Sequence, residues 1–290
     1  MTTRPCMLIG CGFLVAALAA GTWTDAARPS SGRTIGEYQM LATDFHVHSF
    51  PFSWSTLSVF DTVIDARHQG LDAVALTPHN HVWVARVGQW FSKTIGGPTV
   101  VIGEEITAAG YHMLALGIHD AVPSTLSAAA AIDAIHRQGG VAIAAHPYRQ
   151  SWPSFDAAAL ATLDASEIVR PESRRDAGAA AELRAFFERG KFTAIGATDY
   201  HGLGPVGYGR TYVFARERSQ QGVIDAVREG RTVVYDGQRA YGDAALMQLA
   251  AASGGLPQDG PEFPRRGPLA IFSRLATVLT LAALLLFNRH

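Results

Sequence analysis

Eight residues of metal-ligating type fall where successive strands are expected to end. "DFHVHS" (Asp44–Ser49) places His46 and His48 one residue apart, and "LTPHNH" carries His79. "VIGEEI" carries Glu105, "YHMLALGI" carries His112, "AAHP" carries His146, and "ATDYHG" carries Asp199 and His201. Residues i and i+2 on a strand face the same side, so each HxH or DxH pair can grip one ion. A lone histidine at a strand end is ordinarily a satisfied core residue. Polar residues at the exit of strand after strand are instead what a barrel active site looks like. Histidine and carboxylate donors without cysteine suit Zn²⁺, Mn²⁺ or Fe. The two cysteines, Cys6 and Cys11, lie near the start, so the body of the chain has neither a disulfide framework nor a thiolate site.

The elements that must position these residues alternate along the chain. "LATDFHVHS" reads as a strand and "SVFDTVIDARHQG" as a helix closed by Gly70. "LDAVALT" is a strand, "VWVARVGQWFSKTIGG" a helix ending at Gly96 and Gly97, and "TVVIGEEIT" and "YHMLALGI" are strands. "STLSAAAAIDAIHRQGG" has a Ser/Thr start and a double-glycine stop, and "VAIAAHP" is a buried strand stopped by Pro147. "ASEIV", "DAGAAAELRAFFERG", "FTAIGATDYH", "RTYVFA", "SQQGVIDAVREG" and "TVVYDG" continue the pattern. About seven strand–helix repeats predict an α/β fold with a parallel sheet, open or closed into a barrel.

Taken in order, these motifs resemble the PHP (polymerase and histidinol phosphatase) domain over roughly Leu41 to Asp236, nearest its stand-alone phosphoesterase-like and carbaryl-hydrolase-like branch. The resemblance implies a distorted seven-stranded (β/α) barrel with flanking apolar helices and a cluster of two or three divalent metals. Carried over by position, His46, His48, Glu105 and Asp199 hold the first metal. Glu105 bridges to a second, held also by His112 and His146, while His79 and His201 face a third site. Glu105, Asp199 and His201 are the expected catalytic members. Two departures stand out. Ser53 and Trp54 occupy the positions where the family carries a third-site ligand, and Pro78 replaces the acid of its TDHN motif.

The chemistry implied is hydrolysis of a small, phosphorylated substrate. Two metals about 3.5–4 Å apart hold a hydroxide at neutral pH and neutralise charge on the substrate oxygens. A carbamate, carboxylic-ester or amide hydrolase would use the same site, and a non-catalytic metal-binding domain is a third reading. Arg149, Arg170 and Arg210 are the nearest candidates to clamp a transferred group. Glu167 is placed to orient a histidine ligand. His81 is a candidate neighbour of the cluster, and Glu104 should point away from it. His68, His119 and His136 read as surface or packing residues. Trp54, Trp83, Trp90 and Trp152 read either as pocket lining or as packing.

Composition bounds the rest. The net charge of −1, without a basic block, argues against a nucleic-acid partner. Residues 1–24 read as a signal peptide or N-terminal membrane anchor, 25–40 as a linker, 41–241 as the catalytic domain, 242–268 as a Gly/Pro-rich linker, and 269–287 as a transmembrane helix. The expected setting is membrane association, with the barrel on the extracytoplasmic (periplasmic) side. The cytoplasmic face is the alternative, because Arg28 and Arg33 outnumber Arg4 across the first apolar stretch.

Overall fold

The computed structural model describes residues 3–24, 30, 32–202, 204–256 and 267–287. Its centre is one mixed sheet. Strand β1 (Arg33–Ile35) pairs antiparallel with β2 (Tyr38–Val47), and β3 (Ala73–Leu76) and β4 (Thr99–Thr107) add in parallel. Strands β5 (His112–Leu116) and β6 (Val141–Ala144) each run antiparallel to the strand before, then β7 (Ala165–Val169) and β8 (Thr193–Gly196) follow in parallel. On the other edge of β2 lie β9 (Thr211–Ala215), β10 (Thr232–Tyr235) and β11 (Ala240–Gly242), all antiparallel. The order is β11-β10-β9-β2-β3-β4-β5-β6-β7-β8, with β1 off the path.

The sheet curls until its ends nearly meet. No ladder joins β8 to β9 and β10; threonines stitch them instead. Thr211 Oγ1 donates to Gly196 O and accepts from Gly196 N, both at 2.8 Å, and Thr232 Oγ1 donates to Ala194 O at 2.8 Å. At the C-terminal mouth, Val47 bridges Tyr200 in parallel, with His48 N donating to Tyr200 O and Tyr200 N to His46 O, each at 3.1 Å. The architecture is a mixed α/β, nearly closed barrel, with two corrections to expectation. Among the described residues the sheet has eleven strands rather than seven. It is also not all parallel: β4–β5 and β10–β11 are joined by short turns that allow only antiparallel pairing, and β5–β6 and β9–β10 pair antiparallel even though a helix lies in each of their connections.

Helices cover the outside. They are α1 (Thr3–Thr24), α2 (Val59–His68), α3 (Trp83–Ile95), α4 (Ala128–Arg137), α5 (Ala157–Thr162), α6 (Ala177–Phe187), α7 (Gln220–Arg228), α8 (Ala244–Ala252) and α9 (Pro268–Phe287). Their starts obey local chemistry. Ser58, Ser127 and Ser219 each accept an amide of the first turn, which supplies a partner to a donor the helix cannot satisfy itself. Helix α3 stops at Gly96, whose φ of 62° is the left-handed cap a glycine adopts without penalty. Strands β3 ("AVAL") and β6 ("VAIA") are buried along their whole length, as strands covered on both faces must be.

Two boundaries differ from the sequence reading. Within the stretch expected to be a linker, Ala244–Ala252 is a helix capped by Asp243, and its Leu246 and Ala250 pack into the core. The sheet also begins earlier than Leu41, with Arg33–Ile35 and Tyr38 already paired. Asp25–Ala27 and residues 257–266 lie outside the described residues. Pro268–Leu286 of α9 is long and apolar enough to cross a membrane by length and composition, whereas Met7–Gly21 of α1 is a shorter apolar run.

Side-chain direction inside the barrel follows the two-residue period. One apolar cluster takes alternate residues from eight strands: Leu41 and Phe45 of β2, Ala73 and Ala75 of β3, Val101 of β4, Leu114 and Leu116 of β5, and their equivalents onward to Val213 and Ala215 of β9. Helix α7 adds Val223, Ile224 and Val227 to that cluster. This is the barrel interior, and extending the same parity toward the C-terminal ends of the strands leads to the polar residues.

Candidate metal centre

Parity delivers most of the site. Glu105 follows Val101 at i+4 on β4 and so points inward. Glu104 points to the opposite face, where its Oε1 accepts from Val122 N at 2.6 Å. His112 precedes Leu114 by two on β5, Glu167 follows Ala165 by two on β7, and Asp199 follows Ala197 by two beyond β8. Strand β2 needs a device, because Phe45 and His46 are consecutive. A register irregularity lies between Asp44 and Val47. Beyond it Val47 packs with the outer cluster, which leaves His46 and His48 facing the interior.

Glu105 is the hub. Its Oε1 lies 2.8 Å from His112 Nδ1 and 3.0 Å from His146 Nε2. Its Oε2 lies 3.0 Å from His79 Nδ1, 3.3 Å from His48 Nε2 and 3.4 Å from His46 Nε2. Asp199 Oδ1 is 3.3 Å from both His46 Nε2 and His48 Nε2. All eight residues singled out in the sequence therefore meet at the barrel mouth. They form three groups with convergent ligand atoms: His46, His48, Glu105 and Asp199; Glu105, His112 and His146; and His48, His79 and His201.

The geometry fits a cation. His46 Nδ1 donates to Glu167 Oε1 at 2.8 Å, so in the neutral ring Nε2 is the lone-pair nitrogen. That nitrogen lies 3.0 Å from His48 Nε2 and faces two carboxylate oxygens. Among the described residues, the buried Asp199 Oδ1 has no hydrogen-bond partner. Acceptors converging on one point repel one another unless a cation sits among them. The donor set of imidazole and carboxylate suits Zn²⁺, Mn²⁺ or Fe.

The supports around these side chains are well defined. Glu167 is fully buried, and its Oε2 accepts from His146 N at 2.7 Å and Arg170 Nη1 at 2.9 Å. Arg170 Nη2 donates to Asp199 Oδ2 at 2.9 Å. Burial alone would raise Glu167, but Arg170 and His46 hold its carboxyl down at about 2. Burial likewise opposes the charged form of Glu105, yet His46 and the bonds from His112 and His146 keep it well below the usual carboxylate range. His46 is pushed up against its burial by Asp199, Glu105 and Glu167. His146 (φ 32°) and Asp199 (φ 52°) sit in the left-handed region, at roughly 1–3 kcal/mol each, a cost typical of functional sites.

Glu167 therefore orients His46, as its place in the sequence suggested. Replacing it with Gln keeps the shape but breaks the carboxylate–imidazole pairing. Glu167→Gln is expected to weaken metal affinity by ~10–100-fold with the fold intact. Isothermal titration with Zn²⁺ or Mn²⁺ alongside circular dichroism checks both halves.

The candidate arginines separate cleanly. Arg170 is buried between Glu167 and Asp199 and holds carboxylates in place. Arg149 is exposed beside Glu182, and Arg210 donates to Gln69 O and Gly207 O, so neither reaches the centre. His81 stacks with Trp83 and meets the edge of Phe52. Trp54, Trp83 and Trp90 are exposed, and Trp152 packs on Phe186. His119 pairs with exposed Asp120, and His136 with half-buried Asp164. A cavity of about 280 Å³ opens beside Asp199 and His201, walled by Pro171, Glu172, Arg175, Tyr200 and Tyr208.

Asp44 was missed as a site residue, although it opens the "DFHVHS" motif. It is fully buried, accepts from Thr198 N at 3.0 Å and Gly207 N at 2.8 Å, and so ties β2 to two points of the β8–β9 connection, which carries Asp199 and Tyr208. Its spacing of two before His46 was the signal that could have found it. Gly209 completes that corner, because a Cβ there would lie 2.0 Å from Ala197 O.

Comparison with known proteins gives the fold. The barrel aligns with a two-domain protein from Bacteroides vulgatus that contains a predicted PHP-like metal-dependent phosphoesterase, with a TM-score of 0.55 and 22% identity over 72% of this chain and 68% of that one. An amidohydrolase from Chromobacterium violaceum aligns at a TM-score of 0.44 and 14% identity over 57% of this chain and 89% of that one. In sequence, an uncharacterized protein of Methanocaldococcus jannaschii, MJ1587, is 36% identical over 83 residues; that is 29% of this chain and about half of that protein, 48%. No family model matches. The chain carries the PHP fold, in agreement with the resemblance its motifs show.

Proposed function

We propose that this protein is a metal-dependent hydrolase of the PHP type that acts on phosphate esters of small molecules. The observation that carries this reading is the placement of Glu105, whose two oxygens face two different histidine groups as a carboxylate bridging two cations would. His46, His48 and Asp199 complete one site, and His112 and His146 the other. Bound there, divalent ions would activate water and neutralise charge on substrate oxygens. The chain's own part is positional. Glu167 fixes the His46 ring, Arg170 fixes Asp199 Oδ2, and the cavity beside His201 receives the rest of the substrate.

The third group has only imidazole donors and shares His48 with the first. Ser53 stands 3.3 Å from His48 Nδ1, where a carboxylate would have added charge. Two ions held tightly and a third weakly is therefore the expected stoichiometry. Elemental analysis after gel filtration should give about two ions per chain; three tight ions, or none, would refute it.

Amide, carbamate or carboxylic-ester hydrolysis is the competing reading, since the same arrangement serves either electrophile. Assay of the Mn²⁺- and Zn²⁺-loaded protein against p-nitrophenyl phosphate, its diester and p-nitrophenyl acetate separates them. Turnover of a phosphate ester, lost on chelation, is the expected result. Turnover of the acetate alone would move the substrate class, and turnover of none would favour a binding domain. The chain is further proposed to be membrane-associated through its terminal helices, with the barrel on the extracytoplasmic side. The composition of α9 supports the association.

A further inference from the structure

Helices α1 and α9 raise a question that the barrel does not answer. An N-terminal apolar segment of this length is ordinarily a cleavable leader or a separate anchor. Here it is packed as a structural partner. Ser273 Oγ of α9 donates to Ala17 O of α1 at 2.6 Å. A Cβ at Gly21 would lie 2.5 Å from that same Ser273 Oγ, and one at Gly10 would lie 3.0 Å from Leu284 Cδ2. Gly10 and Gly21 thus face opposite ends of α9, so the two helices run antiparallel with their backbones close, the small-residue packing favoured between helices in lipid.

The pair is also fastened to the barrel. Ala270, Ser273, Arg274 and Thr277 recur at i, i+3, i+4 and i+7 and form the buried stripe of α9. Thr277 Oγ1 donates to Asp61 Oδ2 of α2, and Arg274 Nη2 lies 4.0 Å from Asp65 Oδ1. Besides bonds within α9, Arg274 Nη1 to Ala270 O and Thr277 Oγ1 to Arg274 O, the polar contacts of this stripe named above reach α1 and α2. The other faces carry exposed Met7, Leu8, Ile9, Phe13, Leu275 and Leu279, each between 49% and 74% accessible. Met7–Gly21 has no charged residue, and Arg274 is the one charge in α9. The contacts to the barrel end at Thr277, so the ten residues of α9 beyond it measure ~15 Å, about half the thickness of a bilayer's hydrocarbon core.

We infer that α1 is retained in the mature protein and forms with α9 a two-helix membrane anchor docked through Ser273, Arg274 and Thr277 onto Asp61 and Asp65 of the barrel. A lipid bilayer is the occupant of its outer face, because the large exposed side chains described on that face, such as Leu8, Phe13, Phe272 and Leu279, are all apolar, without the polar rim that protein interfaces carry. The inference deepens the membrane reading above and is independent of the hydrolase reading, because none of its readouts uses activity.

The test uses the full chain. Wild-type protein expressed in bacteria should stay with the membrane pellet through an alkaline carbonate wash. Its intact mass after detergent extraction should include α1. In a background with Cys6 and Cys11 replaced by Ser, the pair Gly21→Cys and Ser273→Cys should form an intrachain disulfide, since the Cβ positions lie 3.6 Å apart. Gly12→Cys, which faces open space, should not cross-link to Ser273→Cys. A wild-type mass lacking α1, release by carbonate, or a Gly21–Ser273 cross-link found only between chains would overturn the inference. The first would make α1 a leader, the second would exclude the bilayer, and the third would make a second copy the partner.

Discussion

Glu105→Gln is expected to lower kcat/KM by ~10²–10³ or more while leaving the fold unchanged, a loss on the scale of removing one electrostatic anchor of a transition state. Each oxygen of Glu105 faces a different histidine group, and an amide has one acceptor and one donor where the carboxylate has two acceptors. The amide can therefore serve one site only. Metal content should fall from about two ions toward one in the same protein. Glu104→Gln is the internal control. Its side chain is on the outer face, bonded to Val122 N, and burial already raises it to about 7, so a neutral amide is a close mimic. Activity and metal content should stay near wild type. If the Glu104 change were the damaging one and Glu105→Gln were silent, the inward register of β4 would be wrong.

Arg170→Met should have the largest effect on stability. Arg170 is buried and bonded to Glu167 and Asp199, both charged in the folded protein. Burial disfavours its own charge, but those two carboxylates and Glu172 hold it protonated well beyond the ordinary range. Deleting the cation strands two carboxylates in a poorly solvated place, a loss of about 3–5 kcal/mol in comparable buried pairs. Bound metal should stabilise both proteins, and the variant more. A divalent cation beside Asp199 replaces part of the lost charge, so Zn²⁺ should raise the melting temperature of Arg170→Met by more than it raises that of wild type. Thermal denaturation with and without Zn²⁺ or a chelator checks this. Equal metal-induced shifts in the two proteins would show that Arg170 and the ions are not coupled through Asp199.

Much of the site was legible because strands obey a period of two and the barrel makes their ends converge. HxH and DxH spacing needs no tertiary information to place two ligands on one face. Glu105 could be told from Glu104 by the same parity, given the apolar residues before it. His112 and His146 were legible as residues at strand termini, though which oxygen of Glu105 they approach was not. The antiparallel pairings of β5, β6 and β9–β11 were less legible, because a short strand reads the same in either direction; the length of the connection reveals β4–β5 and β10–β11 but not β9–β10, which α7 joins. Helix α8 was hidden by Gly before it and Gly and Pro after it, around an alanine-rich run whose burial depends on the barrel wall. The role of Arg170 could not be separated from those of Arg149 and Arg210 by sequence, since all three follow strands or turns. Burial between two acids, a tertiary fact, decides it. Asp44 was overlooked because two histidines in the same motif already accounted for it.

The most direct test of the metal centre is an anomalous difference map from crystals grown with Mn²⁺ or Zn²⁺ and measured at the metal's absorption edge. Two strong peaks are expected ~3.5–4 Å apart, one on each side of Glu105. One should lie among His46, His48 and Asp199, the other beside His112 and His146, with a weaker peak or none near His79 and His201. An empty barrel mouth in protein that is folded and metal-saturated in solution, or peaks confined to surface histidines such as His119 and His136, would contradict the assignment.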